Sequence, residues 1–204
     1  MIYLIAALVG YLFGCFQTAY LMGVYLKKTD IRKHGSTNAG ATNVMLVFGW
    51  KYGLVTAFVD IFKTILAIAF IAYFFPDHML ARYIAGLFCI VGHMFPFYIQ
   101  FKGGKGFASY VGLILANNWR LGVLTILLCI LVLVIFDKIA LSALFATSFY
   151  PVYQLFTREN PIVVTLLFLM FFLVSYKHKA NIQRLRAGTE PGLRDYIRLK
   201  QTAK

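Results

Sequence analysis

Charge is the scarcest ingredient of this sequence. Only 13% of its 204 residues are Asp, Glu, Lys or Arg, about half of what a soluble globular domain carries. Just seven of the charged residues are acidic, against twenty basic ones. A water-soluble shell therefore cannot be built, and a nucleic-acid-binding domain is a poor use of the net charge of +13, because no soluble segment carries it. Cysteine is nearly as sparse. Cys15, Cys89 and Cys129 lie inside apolar runs, with no CxxC and no histidine at ligand spacing, so they read as buried packing residues, neither disulfides nor metal ligands. Internal repeats, low-complexity tracts and heptads are missing too. So are a Ser-His-Asp arrangement and a His-x4-Asp pair, since none of His34, His78, His93 and His178 has Asp five residues on.

What fills the space is apolar: 61% hydrophobic residues, 17% aromatic, mean hydropathy +0.76. Seven runs long or apolar enough to enter a bilayer stand out, at about 2–26, 52–75, 80–99, 107–117, 121–136, 139–156 and 161–176. Several fall at or below the ~20 residues a straight crossing needs, and the 107–117 run makes a helix of only roughly 16 Å. The first run is long enough to span and has no positive segment before it, so it reads as a retained helix and not a cleavable signal. The expected fold is an all-α integral membrane protein, a single polytopic domain over 1–204 with about seven transmembrane helices, some of them short.

The basic residues give the orientation. Sixteen of the twenty fall in segments 27–51, 100–106, 137–138 and 177–204; Arg82, Arg120 and Arg158 occupy the alternating connections and Lys63 lies within a span. An excess of Lys and Arg marks cytoplasmic loops. The N-terminus is therefore expected outside, with segments 27–51, 100–106 and 177–204 in the cytoplasm. Their charge suits anionic headgroups or anionic substrates.

Three of these segments carry more than topology requires. The most concentrated is Phe101-Lys102-Gly103-Gly104-Lys105-Gly106. Three glycines in four positions let backbone N–H groups approach an oxyanion, and a helix starting near Phe107 aims its positive end at the same place. It is not a Walker A loop, which needs Gly where Ile99 stands and Ser or Thr where Gly106 stands. An interhelical turn is the other reading. Just before it, Gly92-His93-Met94-Phe95-Pro96 ends the third span, with Pro96 breaking the helix and His93 in a supporting position. Earlier, Gly35-Ser36-Thr37-Asn38-Ala39-Gly40-Ala41-Thr42-Asn43 sets small hydrogen-bonding side chains behind a basic stretch. Ser36, Asn38, Thr42 and Asn43 suit a polyol or phosphate, or serve as turn and cap residues for the next helix.

The second span holds Asp60 and Lys63 on one helical face, either as a mutual pair or as support for a site. Gly10 and Gly14, at GxxxG spacing, read as a helix-packing pair, with substrate access as the second reading. The last polar segment runs Lys177-His178-Lys179-Ala180-Asn181-Ile182-Gln183-Arg184 through Gly188-Thr189-Glu190. His178, Asn181 and Leu185 share one face of a helix there. The arginines suit an interfacial amphipathic helix, whereas imidazole and amide together suit chemistry.

Taken in order, the three segments resemble the bacterial acyl-phosphate:glycerol-3-phosphate acyltransferases of the PlsY type, over nearly the whole chain. The resemblance implies transfer of a fatty acyl group from acyl phosphate to the sn-1 hydroxyl of glycerol 3-phosphate. Lysophosphatidic acid and phosphate would be the products, formed at the cytoplasmic face of the bacterial cell membrane, with no covalent acyl-enzyme and no metal or organic cofactor. It casts Lys105, His178 and Asn181 as catalytic, with Ser36, Asn38, Thr42, Asn43, Gly103, Gly104 and Gly106 binding substrate and Asp60 and His93 supporting them. Lipid bilayer and the two anionic substrates are the partners. Two departures stand out: the family pattern Gly-Ser-Gly-Asn-Pro-Gly reads here with Thr37 and Ala39, and an arginine usual after Ala-Thr-Asn is replaced by Leu46. A small transporter or flippase for an anionic metabolite, with Asp60 and Lys63 on its pathway, is the rival class.

Overall fold

The computed structural model describes residues 1–195, and among these residues there is no β-strand. The helices are α1 (Ile2–Cys15), α2 (Thr18–Leu21), α3 (Ala41–Phe48), α4 (Trp50–Phe74), α5 (Met79–Met94), α6 (Phe107–Asn117), α7 (Trp119–Phe136), α8 (Ile139–Phe156), α9 (Pro161–Lys177) and α10 (Lys179–Arg186). Ile2–Leu26, Trp50–Phe74, Met79–Ile99, Trp119–Phe136 and Ile139–Phe156 are long and apolar enough to cross a membrane. A sixth span forms if α9 and α10, bent by 66° at their joint, are counted as one. The fourth apolar run, α6, has eleven residues and is too short to cross a full hydrocarbon layer at 1.5 Å per residue. The tail of the 177–204 segment beyond residue 195 lies outside the described residues.

The chain packs as two compact units, Met1–Gly122 and Val123–Lys204. In the first, α1 lies against α5 with backbones nearly touching. A Cβ on Gly10 would collide with the Ala85 carbonyl, one on Gly14 with the Cys89 carbonyl, and one on Gly92 with the Tyr11 carbonyl. The four-residue spacing of Gly10 and Gly14 thus matches that of Ala85 and Cys89, one helical turn on each partner, which is how small residues let helices approach in a membrane. Packing is the role the structure gives this pair. α6 closes on α4 in the same manner, with Gly112 over the Ile61 carbonyl.

The first span is interrupted, which its hydropathy did not announce. α1 stops at Cys15, Phe16 and Gln17 leave helical geometry, and α2 then runs into a π-turn over Met22–Leu26. A break inside a membrane leaves carbonyls that must find donors within the protein. Here Gln17 Nε2 donates to Gly14 (3.4 Å), the Tyr98 hydroxyl to Cys15 (2.9 Å) and Lys63 Nζ to Phe16 (2.8 Å).

The second unit is simpler. α8 packs on α9, and α7 and α8 are tied by a reciprocal pair: Ser142 Oγ donates to the Cys129 carbonyl at 3.0 Å and Cys129 Sγ to the Ser142 carbonyl at 3.5 Å. All three cysteines are buried and free. The α7–α8 turn puts Asp137 in left-handed geometry (φ 55°). Its carboxylate and carbonyl accept the amides of Arg194 and Leu193.

Candidate functional site

The loop between the first span and α3 is built around two side chains. Asp30 caps a short 3₁₀ turn, Ile31–Lys33, and its carboxylate takes a two-pronged ion pair from Arg32 (Nε–Oδ1 3.0 Å, Nη2–Oδ2 2.8 Å). That hydrogen-bonded guanidinium holds the Asp30 carboxyl below the usual carboxylate range. The pair's contribution to stability is thus present above the unfolded carboxylate's pKa and is lost only in acid, as pH falls through the depressed value. Arg32 Nη1 continues to the carbonyl of Ile99 (2.8 Å), which ties this loop to the turn preceding the glycine segment.

Asn43 is the second organiser. Its Oδ1 accepts the Ser36 amide (2.8 Å) and its Nδ2 donates to the carbonyls of Ile31 and His34, both at 3.0 Å. It is fully buried. The structure therefore uses Asn43 to shape the loop, with its oxygen and both amide protons engaged there. Gly40, not a polar side chain, occupies the N-cap of α3, with Asn38 folded over it. Ser36 is exposed, and Asn38 and Thr42 are half-buried. Gly35 and Thr37 both sit at positive φ, 57° and 58°. Position 37 is where the resembling family carries glycine, so a β-branched residue here holds a conformation that suits glycine.

The glycine segment follows two consecutive left-handed residues, Gln100 (φ 60°) and Phe101 (φ 57°). Its first two glycine amides do not face outward. Gly103 N–H donates to the Met94 carbonyl (3.1 Å) and Gly104 N–H to the His93 carbonyl (3.0 Å), so they fold the segment back onto the end of α5. Gly104 is also a crossing point. A Cβ there would land on His93 Nε2 and press on the Ala39 carbonyl, so only glycine lets the two polar loops meet.

Gly106 (φ 87°) then caps α6 without a side-chain hydrogen bond. The first intrahelical bond is Tyr110 N–H to Gly106 O at 2.8 Å, which leaves the amides of Phe107, Ala108 and Ser109 as donors at a positive helix end. Half-buried Lys105 stands beside them. Of the groups the sequence offered to an oxyanion, the Gly103 and Gly104 amides are thus bonded back onto α5, and the α6 N-terminus keeps its positive helix end.

Behind this site lies a buried polar cluster. Asp60 and Lys63 pair at 2.8 Å, and Lys63 Nζ is also 3.0 Å from His93 Nδ1 and 2.8 Å from the Phe16 carbonyl. An ammonium has three protons, and each has its acceptor, so Lys63 has none left to offer a migrating solute. Since Lys63 can only donate, Nδ1 accepts and a neutral His93 ring carries its proton on Nε2.

The third polar segment belongs to the second unit. His178 forms the joint between α9 and α10, so the expected single helical face is split by the bend there. Its Nδ1 lies 2.9 Å from the Val174 carbonyl. A carbonyl only accepts, so Nδ1 carries the proton and Nε2 is the basic nitrogen of the neutral ring. Asn181 Nδ2 donates to Glu190 Oε1 and Arg184 Nε to Glu190 Oε2, both at 2.7 Å. Glu190 is buried, and it fixes the Asn181 amide. The sequence named Glu190 only as the end of a motif; the signal was present, because a lone acid near two arginines and an asparagine invites pairing. Arg32, read as topology alone, carried no such signal.

Residues 4–188 match the sequence family described as glycerol-3-phosphate acyltransferase. Among curated relatives, the glycerol-3-phosphate acyltransferase of Thermoanaerobacter pseudethanolicus is 32% identical over 197 residues, covering 96% of this chain and 98% of that protein. The glycerol-3-phosphate acyltransferase 1 of Oceanobacillus iheyensis is 35% identical over 202 residues, covering 95% and 96%. The chain is similar in structure to crystal structures of PlsY (YgiH), an integral membrane glycerol 3-phosphate acyltransferase. Against its glycerol 3-phosphate form the TM-score is 0.87, with 28% identity over 94% of this chain and 95% of that one. Against the form described as that of lysophosphatidic acid the TM-score is 0.80, with 29% identity over 93% and 94%.

Proposed function

The chain belongs to the glycerol-3-phosphate acyltransferase family of integral membrane enzymes, and from that premise we propose that its acyl donor is acyl phosphate and its product lysophosphatidic acid. The observation that carries this reading is the uncapped N-terminus of α6, with Lys105 beside it and the Ser36–Thr42 loop held against the glycine segment at Gly104. Both substrates bear phosphate, and this place offers a cation and oriented amides to an anion.

Acyl phosphate is a mixed anhydride and needs no prior activation by the enzyme. The sn-1 hydroxyl oxygen of glycerol 3-phosphate attacks the acyl carbon, a tetrahedral oxyanion forms, and the C–O bond to phosphate breaks as the carbonyl re-forms. The electron pair leaves on phosphate. Lys105 and the amides of α6 stabilise that growing charge, and Ser36, Asn38 and Thr42 orient the acceptor. As the resemblance implies, the hydroxyl proton goes to His178, whose ring is held through its Nδ1–H bond to Val174. Asn181, its amide fixed by Glu190, is the further catalytic residue of that segment. By the distribution of basic residues, the polar segments work on the cytoplasmic side of the bacterial cell membrane.

Lys105→Ala is predicted to abolish turnover, read as phosphate release from palmitoyl phosphate, while the purified variant keeps its helical circular dichroism. An active Lys105→Ala enzyme would remove the anion-binding role. His178→Gln is predicted to lower kcat on the order of a hundredfold or more. Near-normal turnover across pH would pass the base to a phosphate oxygen of the substrate.

A further inference from the structure

The glycine segment is anchored at both ends to a single turn of α4. On its N-terminal side stands His93, in the last turn of α5: its carbonyl accepts the Gly104 amide (3.0 Å), and its ring Nδ1 accepts from Lys63 (3.0 Å). On its C-terminal side, Ser109 in the first turn of α6 donates its hydroxyl to the Asp60 carbonyl at 3.2 Å. The same turn reaches the break in the first span through Lys63 and the Phe16 carbonyl (2.8 Å) and through Thr18 Oγ1 and Asp60 Oδ1 (3.3 Å). Gln17 closes the circuit, donating Nε2 to the His93 carbonyl at 2.7 Å. Asp60, Lys63, Gln17 and His93 are all at least nine-tenths buried.

We infer that the Asp60–Lys63 turn is the positioning device of the active site, and that Lys63 is a positioning residue holding the glycine segment in register from within the bilayer. The inference rests on the proposed role of that segment in binding phosphate and adds to it. A buried ion pair alone is a poor source of stability. This one does something a hydrophobic pair cannot do, because one ammonium joins three structural parts: the broken first span, the end of α5 and the α4 carboxylate. The His93 ring lies against the Gly104 backbone, so displacing the ring moves the loop directly. Lys63 touches no substrate in this account; it acts through His93 and Gly104.

The test uses the full chain in detergent, with hydrogen exchange of the 102–106 amides and steady-state kinetics measured side by side. Lys63→Met is predicted to raise exchange at 102–106 on the order of tenfold relative to amides of α1 and α9. It is also predicted to lower kcat on the order of tenfold to a hundredfold, with the KM for glycerol 3-phosphate moving less than about threefold. Because that variant strands the Asp60 carboxylate, Asp60→Asn combined with Lys63→Met is made as well, and it should fold and show the same loosened loop. His93→Asn, which keeps an acceptor for Lys63 but deletes the ring against Gly104, should do likewise.

Wild-type exchange at 102–106 together with kcat within about twofold of wild type in folded Lys63→Met, or failing that in the double variant or His93→Asn, overturns the inference. So does exchange that rises equally in all helices. The exchange arm needs no turnover, so a wild-type protein without acyl transfer would contradict the proposed donor and still leave Lys63 tested.

Discussion

At the residue scale, two of the three positions that depart from the family pattern, Thr37 and Leu46, each have a measurable consequence. Thr37 occupies φ 58°, where a left-handed residue with a Cβ costs about 1–2 kcal/mol and glycine does not. Thr37→Gly is therefore predicted to raise the midpoint of thermal unfolding in detergent slightly, the strain relief being partly offset by the greater freedom of glycine in the unfolded chain. A lowered midpoint would mean that the Thr37 side chain makes a stabilising contact. Leu46 stands where the family's arginine is usual, half-buried in α3. Leu46→Arg is predicted to lower the KM for glycerol 3-phosphate severalfold with little change in kcat, as expected when binding is added equally to ground and transition states. No change in KM would show that the phosphate is held elsewhere.

The chemistry of single residues was only partly legible beforehand. A buried Asn that shapes a loop and an exposed Asn that binds a polyol have the same side chain. Asn43 proved to be the first kind through bonds to residues seven to twelve positions away. Gly104 was readable as a special glycine, but its reason is the long-range approach of His93 and Ala39, which no local window contains.

At the scale of elements, the α1–α5 contact is the most demanding part of the fold. Gly14→Leu would drive a branched side chain into the Cys89 carbonyl, and the helix has no room to yield along a backbone-to-backbone seam. The variant is predicted to yield little folded protein on purification, whereas Leu8→Ala, on an exposed face of the same helix, should purify as wild type. A well-folded Gly14→Leu protein would contradict the close packing. The glycine spacing announced this seam. The break at Phe16–Gln17 was invisible to hydropathy, because the run stays apolar through residue 26 and the cue, Gln17, also fits an unbroken helix. The joint at His178 was hidden for a similar reason: α9 and α10 meet with no proline or glycine between them.

At the scale of the whole molecule, all-helical membrane architecture followed from composition, because a chain with this little charge can bury its backbone in lipid only as helices or a closed barrel, and its long apolar runs favour helices. The count of crossings did not follow. α6 and the bent α9–α10 pair are short by themselves, and hydropathy cannot tell a re-entrant helix from a spanning one. Orientation rests on the basic residues. A cysteine placed at Ser36 in a cysteine-free background is predicted to react with an impermeant maleimide only in inverted vesicles, and one at His78 only in right-side-out cells. The opposite pattern would turn the site to the outer face.

The most direct test of the account is phosphate release by the detergent-purified protein given palmitoyl phosphate, with and without glycerol 3-phosphate. The prediction is release that depends on the acceptor and is matched, mole for mole, by lysophosphatidic acid in the mass spectrum. Folded, lipid-supplemented protein that releases phosphate at the same rate with or without acceptor, or none at all, would contradict acyl phosphate as its donor.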